Sequence, residues 1–181
     1  MNRLTETTVL ARKNMLVFGF AAAVLLFIIA GSWYKWTRGG VVTPLEVGSI
    51  MLILIVLLER ASGRYQIDAD AREIQISKTG MFGRHKVNVS HRQIVGIYEY
   101  KAKLVGYIKF RRTHRMHSAL DGRDVWVIAY KVQPSGKTEH NERVYFKPSK
   151  EMLNFLTARM PGKVMVPETQ VIVDVLKDEK E

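Results

Sequence analysis

The distribution of apolar and polar residues divides the chain near residue 61. Before that point, two long runs are almost continuously apolar, residues 15–34 and residues 41–60. After it, short segments alternate apolar and polar positions with a period of two, which is typical of half-buried β-strands. The pattern therefore predicts two N-terminal helices followed by a β-rich domain.

The first apolar run predicts a transmembrane helix over residues 15–34. It contains no charged residue, and at about 1.5 Å per residue it matches the roughly 30 Å hydrocarbon core of a bilayer. A cleaved signal peptide is the competing interpretation. We do not favour it, because the run is longer than an ordinary signal core and Trp33 and Tyr34 are unsuited to a cleavage site.

The second apolar run begins with a helix-start signal. Thr43, Pro44 and Glu46 have the spacing of an N-cap, a first helical residue and the acid of a capping box. This places Glu46 at the membrane interface and not in an ion path. We expect a second span over residues 44–60, and hence a transmembrane hairpin over residues 15–60.

Two spans predict that both termini lie on one side of the membrane, together with the β domain. Basic residues precede the first run at Arg12 and Lys13 and follow the second at Arg60 and Arg64. Because cytoplasmic flanks are enriched in Lys and Arg, this favours an inner (plasma) membrane, multi-pass protein. Its N-terminal segment, residues 1–14, and its β domain are then cytoplasmic.

The alternating segments predict seven strands and one closing helix. The strand segments are residues 65–67, 74–76, 87–89, 94–100, 104–110, 124–132 and 142–148. Ser149 then provides an N-cap for a helix over residues 149–160, whose apolar face is formed by Met152, Phe155, Leu156 and Met160. Because a one-sided apolar face covers a core, we expect this helix to pack on the sheet.

Two segments resemble bacterial pleckstrin-homology-like (PH-like) domains, which often follow one or two membrane spans. They are "GMFGRHKVNVSHRQIVGI" at residues 80–97 and "VYFKPSKEMLNFLTARMP" at residues 144–161. The resemblance covers residues 62–161 and leaves residues 162–181 as a tail. It implies an open, bent β-barrel without enzymatic activity. The expected fold is thus an α+β membrane protein, a two-helix transmembrane hairpin followed by a mostly antiparallel seven-stranded open barrel capped by one C-terminal helix.

The net charge of the chain indicates what kind of partner it would bind. Lys and Arg number 28 against 17 Asp and Glu, a formal charge of +11, so an anionic membrane face or a nucleic acid is a suitable partner. The chain contains no cysteine. This excludes disulfide scaffolds, thiol nucleophiles and thiolate zinc sites.

The densest group of bases lies in "KFRRTHRMH", residues 109–117. It supplies the candidate ligand-binding residues Lys109, Arg111, Arg112, His114, Arg115 and His117. In one interpretation they form a diffuse face toward an anionic leaflet, each base contributing about 1 kcal/mol near the surface. In the other, the arginine forks form a pocket for a phosphate-bearing ligand. We favour the diffuse face.

Other chemistries have weaker support. His114 and His117 have no third ligand at metal-site spacing, and Gly-rich phosphate loops are absent from the sequence. Ser118 has no base and orienting acid at a defined spacing. We therefore predict no catalytic residue, no metal and no cofactor.

Three functions follow from these features. The first is a membrane-tethered, non-catalytic interaction module whose basic domain binds a protein partner or the anionic surface of the lipid bilayer. The second is a receptor effector that binds an anionic ligand, such as a cyclic oligonucleotide, and signals to the membrane helices, as in bacterial antiviral effectors of similar layout. Such an effector would need to form a homo-oligomer. The third is an immunity or stress protein of the cell membrane.

Overall fold

The computed structural model describes residues 3–101, 110–133 and 139–178. Within these ranges the chain forms eight strands and four helices. In chain order they are β1 (Leu4–Thr7), α1 (Arg12–Thr37), α2 (Pro44–Ser62), β2 (Arg64–Ala69), β3 (Glu73–Gly80), β4 (Gly83–Ser90), β5 (Ile94–Glu99), β6 (Arg112–Arg115), β7 (Trp126–Val132), β8 (His140–Phe146), α3 (Lys150–Arg159) and α4 (Glu168–Asp178). Most of the predicted strand at residues 104–110 and the turn at residues 134–138 lie outside the described residues.

The strands form two four-stranded sheets, with the orders β1-β2-β3-β4 and β5-β7-β8-β6. The first sheet is antiparallel throughout, whereas β6 pairs with β8 in parallel. The predicted single barrel of seven strands with one C-terminal helix is therefore wrong. The N-terminal strand β1, which precedes α1, adds to the edge of the first sheet through pairs such as Leu4 with Ala69. Such long-range pairing leaves no local periodic signal.

The main core lies between the two sheets and is closed by α3. Its fully buried members include Ile74, Ile76, Val144 and Phe146. Alternate residues of each strand point to opposite faces, so these strands contribute every second side chain to this core. This arrangement leaves the other faces free for the contacts described below.

Helix α3 begins at the predicted cap. The Ser149 side chain accepts a hydrogen bond from the Met152 backbone N–H at 3.1 Å, which satisfies one of the unpaired donors of the first turn. Met152, Leu153 and Leu156 are buried against the core. The apolar face predicted for this helix is thus a core-covering face.

Helix α1 has 26 residues and is long and apolar enough to cross a membrane by length and composition. Among the described helices no second one meets that criterion. Its apolar side chains face outward, for only Leu25 is buried in the structure. This exposure is unusual for a water-soluble helix and fits an apolar surrounding.

The predicted second span is wrong. Helix α2 forms, but its 19 residues include Glu46, Glu59 and Arg60. Between the terminal charges, residues 47–58 supply only twelve uncharged positions, or about 18 Å of helix at 1.5 Å per residue, against a hydrocarbon core of roughly 30 Å. Glu59 is also bound to Lys78 of β3, so the last turn of α2 belongs to the sheet assembly. Without a second span, the prediction of a multi-pass protein is not supported either.

The predicted tail, residues 162–181, contains α4. Val171 of this helix is 2% exposed and joins a second apolar cluster on the outer face of the β5-β7-β8 sheet, with Tyr98, Val127 and Ala129. The helix approaches β5 at Gly96, where an added Cβ would lie 2.5 Å from a methyl carbon of Val171. Both faces of this sheet are therefore covered, one by the main core and one by α4.

Candidate functional site

The basic stretch identified in the sequence centres on β6, an edge strand of its sheet. The Arg111 backbone N–H donates to the Asn141 carbonyl at 3.0 Å, and the side chains of Arg111, Arg112 and Arg115 are exposed. Lys109 lies outside the described residues. The described side chains of the stretch are therefore divided: the three arginines reach solvent, whereas His114 and His117 are half-buried.

His114 faces a seam between the two sheets. Its Nδ1 lies 3.4 Å from Nε2 of His85 on β4, and the two rings are stacked with centroids 5.6 Å apart. Strands β4 and β6 are edge strands of different sheets. The histidine contact therefore joins the two sheets across their open edges. On its other side, His114 Nε2 lies 3.3 Å from Oε2 of Glu142.

Glu142 on β8 is the centre of a buried polar network. It is 7% exposed and accepts a hydrogen bond from the Tyr130 hydroxyl at 3.0 Å, while His140 Nε2 lies 3.0 Å from its other oxygen. Burial by itself would raise the pKa of Glu142, but the contacts from His140, Tyr130 and His114 outweigh it and lower the pKa. Glu142 is thus a carboxylate held in its charged form.

We call these five residues, Glu142, Tyr130, His85, His114 and His140, the Glu142 cluster. Five clefts in the described residues are lined by other side chains. In the same part of the chain, no group of three or more ligating side chains is placed to hold a metal ion. Of the two facing ring nitrogens of His85 and His114, one must donate and the other must accept. The cluster therefore connects four strands through side-chain contacts, with Glu142 buried and His85 exposed.

Exposed bases lie on both sides of this seam. Arg84 and Lys86 flank His85 on β4, and Arg111, Arg112 and Arg115 lie on or beside β6. All five are exposed, and no acid among the described residues forms an ion pair with any of them. We call this surface the basic seam. Its cations are available to an external anion.

Other bases of the same region stabilise the fold. The Arg143 guanidinium lies over the rings of Phe110 and Tyr145, 4.7 and 5.2 Å from their centroids, a cation–π arrangement. The Lys78 ammonium lies 2.6 Å from a carboxylate oxygen of Glu59. Arg143 and Lys78 are therefore structural cations, unlike the cations of the basic seam.

His117 is placed in a different environment from His114. It lines a cleft of only about 10 Å³ together with Asp121 and Lys147, which is room for about one water molecule. Burial lowers the pKa of His117, and the nearby Lys147 lowers it further. His117 and the arginines of the basic seam therefore do not share a ligand pocket.

A buried ion cluster that the sequence did not predict lies next to this cleft. Arg123 donates to both carboxylate oxygens of Asp121, at 3.0 Å from Nε and 2.6 Å from Nη2, and it also binds Glu6 of β1. Asp121 is 2% exposed. The second oxygen of Glu6 accepts from the Ser149 backbone N–H at 3.0 Å. We call Glu6, Asp121 and Arg123 the N-terminal clamp.

The clamp holds the start of α1 against the second half of the chain. The Ala11 N–H donates to the Leu120 carbonyl at 2.9 Å, and the Asn14 amide donates to the carbonyls of Ala119 and Asp121. Asp121 lies only two residues before Arg123 in the chain. Its partner Arg123 reaches Glu6 across 117 positions, a separation at which the sequence carries no spacing signal.

No family model matches the chain, and no curated protein matches it. The resemblance to PH-like domains therefore stays a prediction, and the function has to be argued from the site itself.

Proposed function

We propose that the protein is a membrane-anchored, non-catalytic binding module whose basic seam engages anionic lipid headgroups. In this proposal α1 is the anchor and the sheets lie at the cytoplasmic leaflet of the plasma membrane. The bases Arg12 and Lys13 at the start of α1 support this orientation, because cytoplasmic flanks are rich in Lys and Arg.

The observation that carries the proposal is that the five seam cations are exposed and form no ion pair with an acid in the described part of the chain. The same chain carries an apolar, outward-facing helix. A cationic surface without internal acids keeps its full attraction for an anionic leaflet. None of the five clefts described above is lined by a seam cation. A flat anionic surface is therefore the partner that fits it best.

The position of the seam supports the same conclusion. Beyond Arg115 on β6, the chain continues to Leu120, whose carbonyl contacts Ala11 just before α1. On the other sheet, Arg84 lies at the start of β4 and pairs with Thr79, which itself pairs with Arg64, two residues after α2 ends. Both strands that carry the seam thus run toward the ends of α1 and α2 that join the sheets, the side on which an anchored chain would meet the charged surface of the bilayer.

The test is lipid selectivity in the full chain. The protein is reconstituted into phosphatidylcholine bilayers with trace spin-labelled phosphatidylglycerol, and the motionally restricted fraction of the label is measured. Arg111→Lys and Arg112→Lys should retain the restricted fraction, because attraction to a diffuse charged surface depends on the charge of the side chain and not on its geometry. Arg111→Ala and Arg112→Ala should lower it stepwise, and added salt should lower it for every variant.

Spin-labelled phosphatidylcholine provides the matched control, since its restricted fraction should not depend on these substitutions. Equal selectivity for the two lipids in the unmodified chain would overturn the proposal. A large loss on Arg→Lys exchange would also contradict it, because it would show that a guanidinium fork and not charge is recognised.

A second candidate function is favoured by a separate cleft. A cavity of about 590 Å³ lies between the β2–β3 and β4–β5 turns, lined by Ala71, Arg72, Ser90, His91 and Arg92. Burial lowers the pKa of His91, and the positive charges of Arg159 and Lys163 lower it further, against the opposing effect of Asp70. The cleft is basic, so it supports the receptor alternative, in which a soluble anionic ligand binds there.

Thermal unfolding of the detergent-solubilised full chain with a panel of cyclic oligonucleotides tests this alternative. A ligand at 100 times its Kd stabilises a protein by about 2.7 kcal/mol. Arg72→Ala should remove the shift and Arg112→Ala should leave it intact. The receptor alternative fails if no panel member stabilises the unmodified chain.

A further inference from the structure

The turn between β3 and β4 exposes two large apolar side chains, Met81 at 52% and Phe82 at 71%. We propose that this turn inserts into the interfacial layer of the membrane that holds α1, as a second lipid contact. The inference rests on the membrane anchoring proposed above and adds a specific lipid-binding segment to it.

Strand register places this turn at the helix end of its sheet. Gly80 pairs with Gly83 around the turn, and Thr79 pairs with Arg64, which begins β2 two residues after α2 ends. At the same end of the sheet, the Thr8 N–H donates to the Tyr65 carbonyl at 3.1 Å, four residues before α1 begins. Both helices and the apolar turn therefore leave the sheet at one end.

A direct contact fixes the turn beside α2. The Glu59 carboxylate in the last turns of α2 receives Lys78 Nζ at 2.6 Å and lies so close to Gly80 that an added Cβ would be 3.1 Å from one of its oxygens. Gly83 has a φ of +117°, a backbone conformation that glycine adopts without strain. The turn is thus held in a defined position, with Met81 and Phe82 at its tip.

The chemistry of the turn matches the membrane interface. Its apolar tip is followed on β4 by the exposed bases Arg84 and Lys86, so apolar and cationic groups occur within six residues. Apolar side chains that enter the boundary between headgroups and acyl chains, next to bases that meet anionic headgroups, are typical of interfacial anchors. The turn lies beside the C-terminal end of α2 through its contacts with Glu59, and α1 leaves the sheet at the same end. We therefore assign a lipid, and not a protein partner, as its occupant.

A depth measurement on the full chain tests the inference. The chain has no cysteine, so Phe82→Cys introduces a unique attachment point for an environment-sensitive fluorophore. The protein is reconstituted into vesicles of phosphatidylglycerol and phosphatidylcholine with spin labels placed at the headgroup or along the acyl chain. We expect a blue-shifted emission and stronger quenching by a shallow acyl label than by a deep one, as for a group buried about 5–10 Å into the interface.

The matched control is Ala71→Cys. Ala71 is exposed in the β2–β3 turn, at the opposite end of β3, which at about 3.3 Å per residue lies roughly 25 Å away. A label there should show neither the blue shift nor acyl quenching. Replacing Arg84 and Lys86 with Ala should weaken quenching of the residue 82 label in anionic vesicles.

Flotation of the same samples separates the two proposals. If the labelled chain floats with vesicles and residue 82 is quenched no more than residue 71, the turn inference is overturned while anchoring stands. If the chain does not float, membrane anchoring itself fails. Met81→Ser tests whether the fluorophore itself causes the insertion. If the native turn inserts, removing the apolar Met81 side chain should reduce quenching of the label at residue 82.

Discussion

At the scale of single residues, two of the buried carboxylates among the described residues, Glu142 and Asp121, are kept charged in different ways. Glu142 accepts hydrogen bonds from neutral or titratable donors, Tyr130 and two histidines. Asp121 is neutralised by a permanent cation, Arg123. Because a buried charge without partners is costly, each arrangement predicts a distinct response to substitution and to pH.

Glu142→Gln should destabilise the fold by about 1–3 kcal/mol, since one amide oxygen cannot accept from three donors. The pKa of Glu142 is lowered from its ordinary value of 4.5. Its stabilising effect is therefore fully present above about pH 4.5 and is lost as the pH falls through the lower folded-state pKa. Urea unfolding of the solubilised full chain, at pH values from about 3 to about 7, measures this loss of stability.

The exposed Glu139 supplies the matched control, since Glu139→Gln removes the same charge without a buried network. It should change the free energy of unfolding by no more than about 0.5 kcal/mol. An acid dependence of equal size in the unmodified chain and in Glu142→Gln would show that Glu142 does not contribute it.

Arg123→Met should cost about 3–5 kcal/mol, because it leaves the buried Asp121 and the half-buried Glu6 without their cation. Combining it with Asp121→Asn and Glu6→Gln should recover much of that loss, since no uncompensated charge remains. Urea unfolding of the single and triple variants measures the difference. Arg64→Met, at an exposed base, is the control, and a triple variant less stable than Arg123→Met would contradict the account.

At the scale of elements, α4 depends on a close approach that one glycine permits. Strand β5 has an irregularity between Ile94 and Gly96, and at Gly96 the methyl groups of Val166 and Val171 occupy the position of a side chain. A β-branched valine has little freedom to move aside. The docking of α4 is therefore sensitive to a single carbon atom.

Gly96→Ala should displace α4 from the sheet and expose it to protease, because the new Cβ would lie 2.5 Å from Val171. Limited proteolysis with mass detection of cleavage within α4 measures this. Val171→Ala in the same chain should relieve the overlap and restore part of the protection. Val171→Ala alone should cost about 1–2 kcal/mol for its lost methyl groups, and unchanged proteolysis in Gly96→Ala would contradict the docking account.

At the scale of the whole molecule, the first sheet has two different ends. One end carries α1, α2 and the turn with Met81 and Phe82. The other carries the basic cleft with Arg72 and Arg92. This polarity means that, in a membrane-anchored chain, the apolar turn faces the bilayer and the cleft faces the aqueous phase.

The proposed cytoplasmic orientation predicts the labelling of Ala71→Cys in cells. An impermeant maleimide should modify this cysteine only after the membrane is permeabilised, because the sheets lie inside. The unmodified chain has no cysteine and provides the blank. Labelling in intact cells would place the sheets outside and reverse the proposal.

Local features were predictable from the sequence because they depend on residues a few positions apart. The capping box of α2 forms as predicted, with the Thr43 N–H donating to Glu46 at 2.8 Å and the Glu46 N–H donating to Thr43 at 3.3 Å. The β2–β3 hairpin also forms, with Ile67 opposite Ile76. A cap or a hairpin is decided by short-range hydrogen bonds and alternation, so the chain carries its signal in one segment.

The tertiary structure alone decided where the basic stretch lies and what it contacts. The sequence located Arg111, Arg112 and Arg115, but alternation on β6 and its parallel pairing with β8 separate His114 from His117. Likewise, only the fold brings Lys78 of β3 to Glu59 and so ties the last turn of α2 to the first sheet. These outcomes depend on which distant segments meet, and such pairings follow from the packing of the whole chain and not from any local pattern.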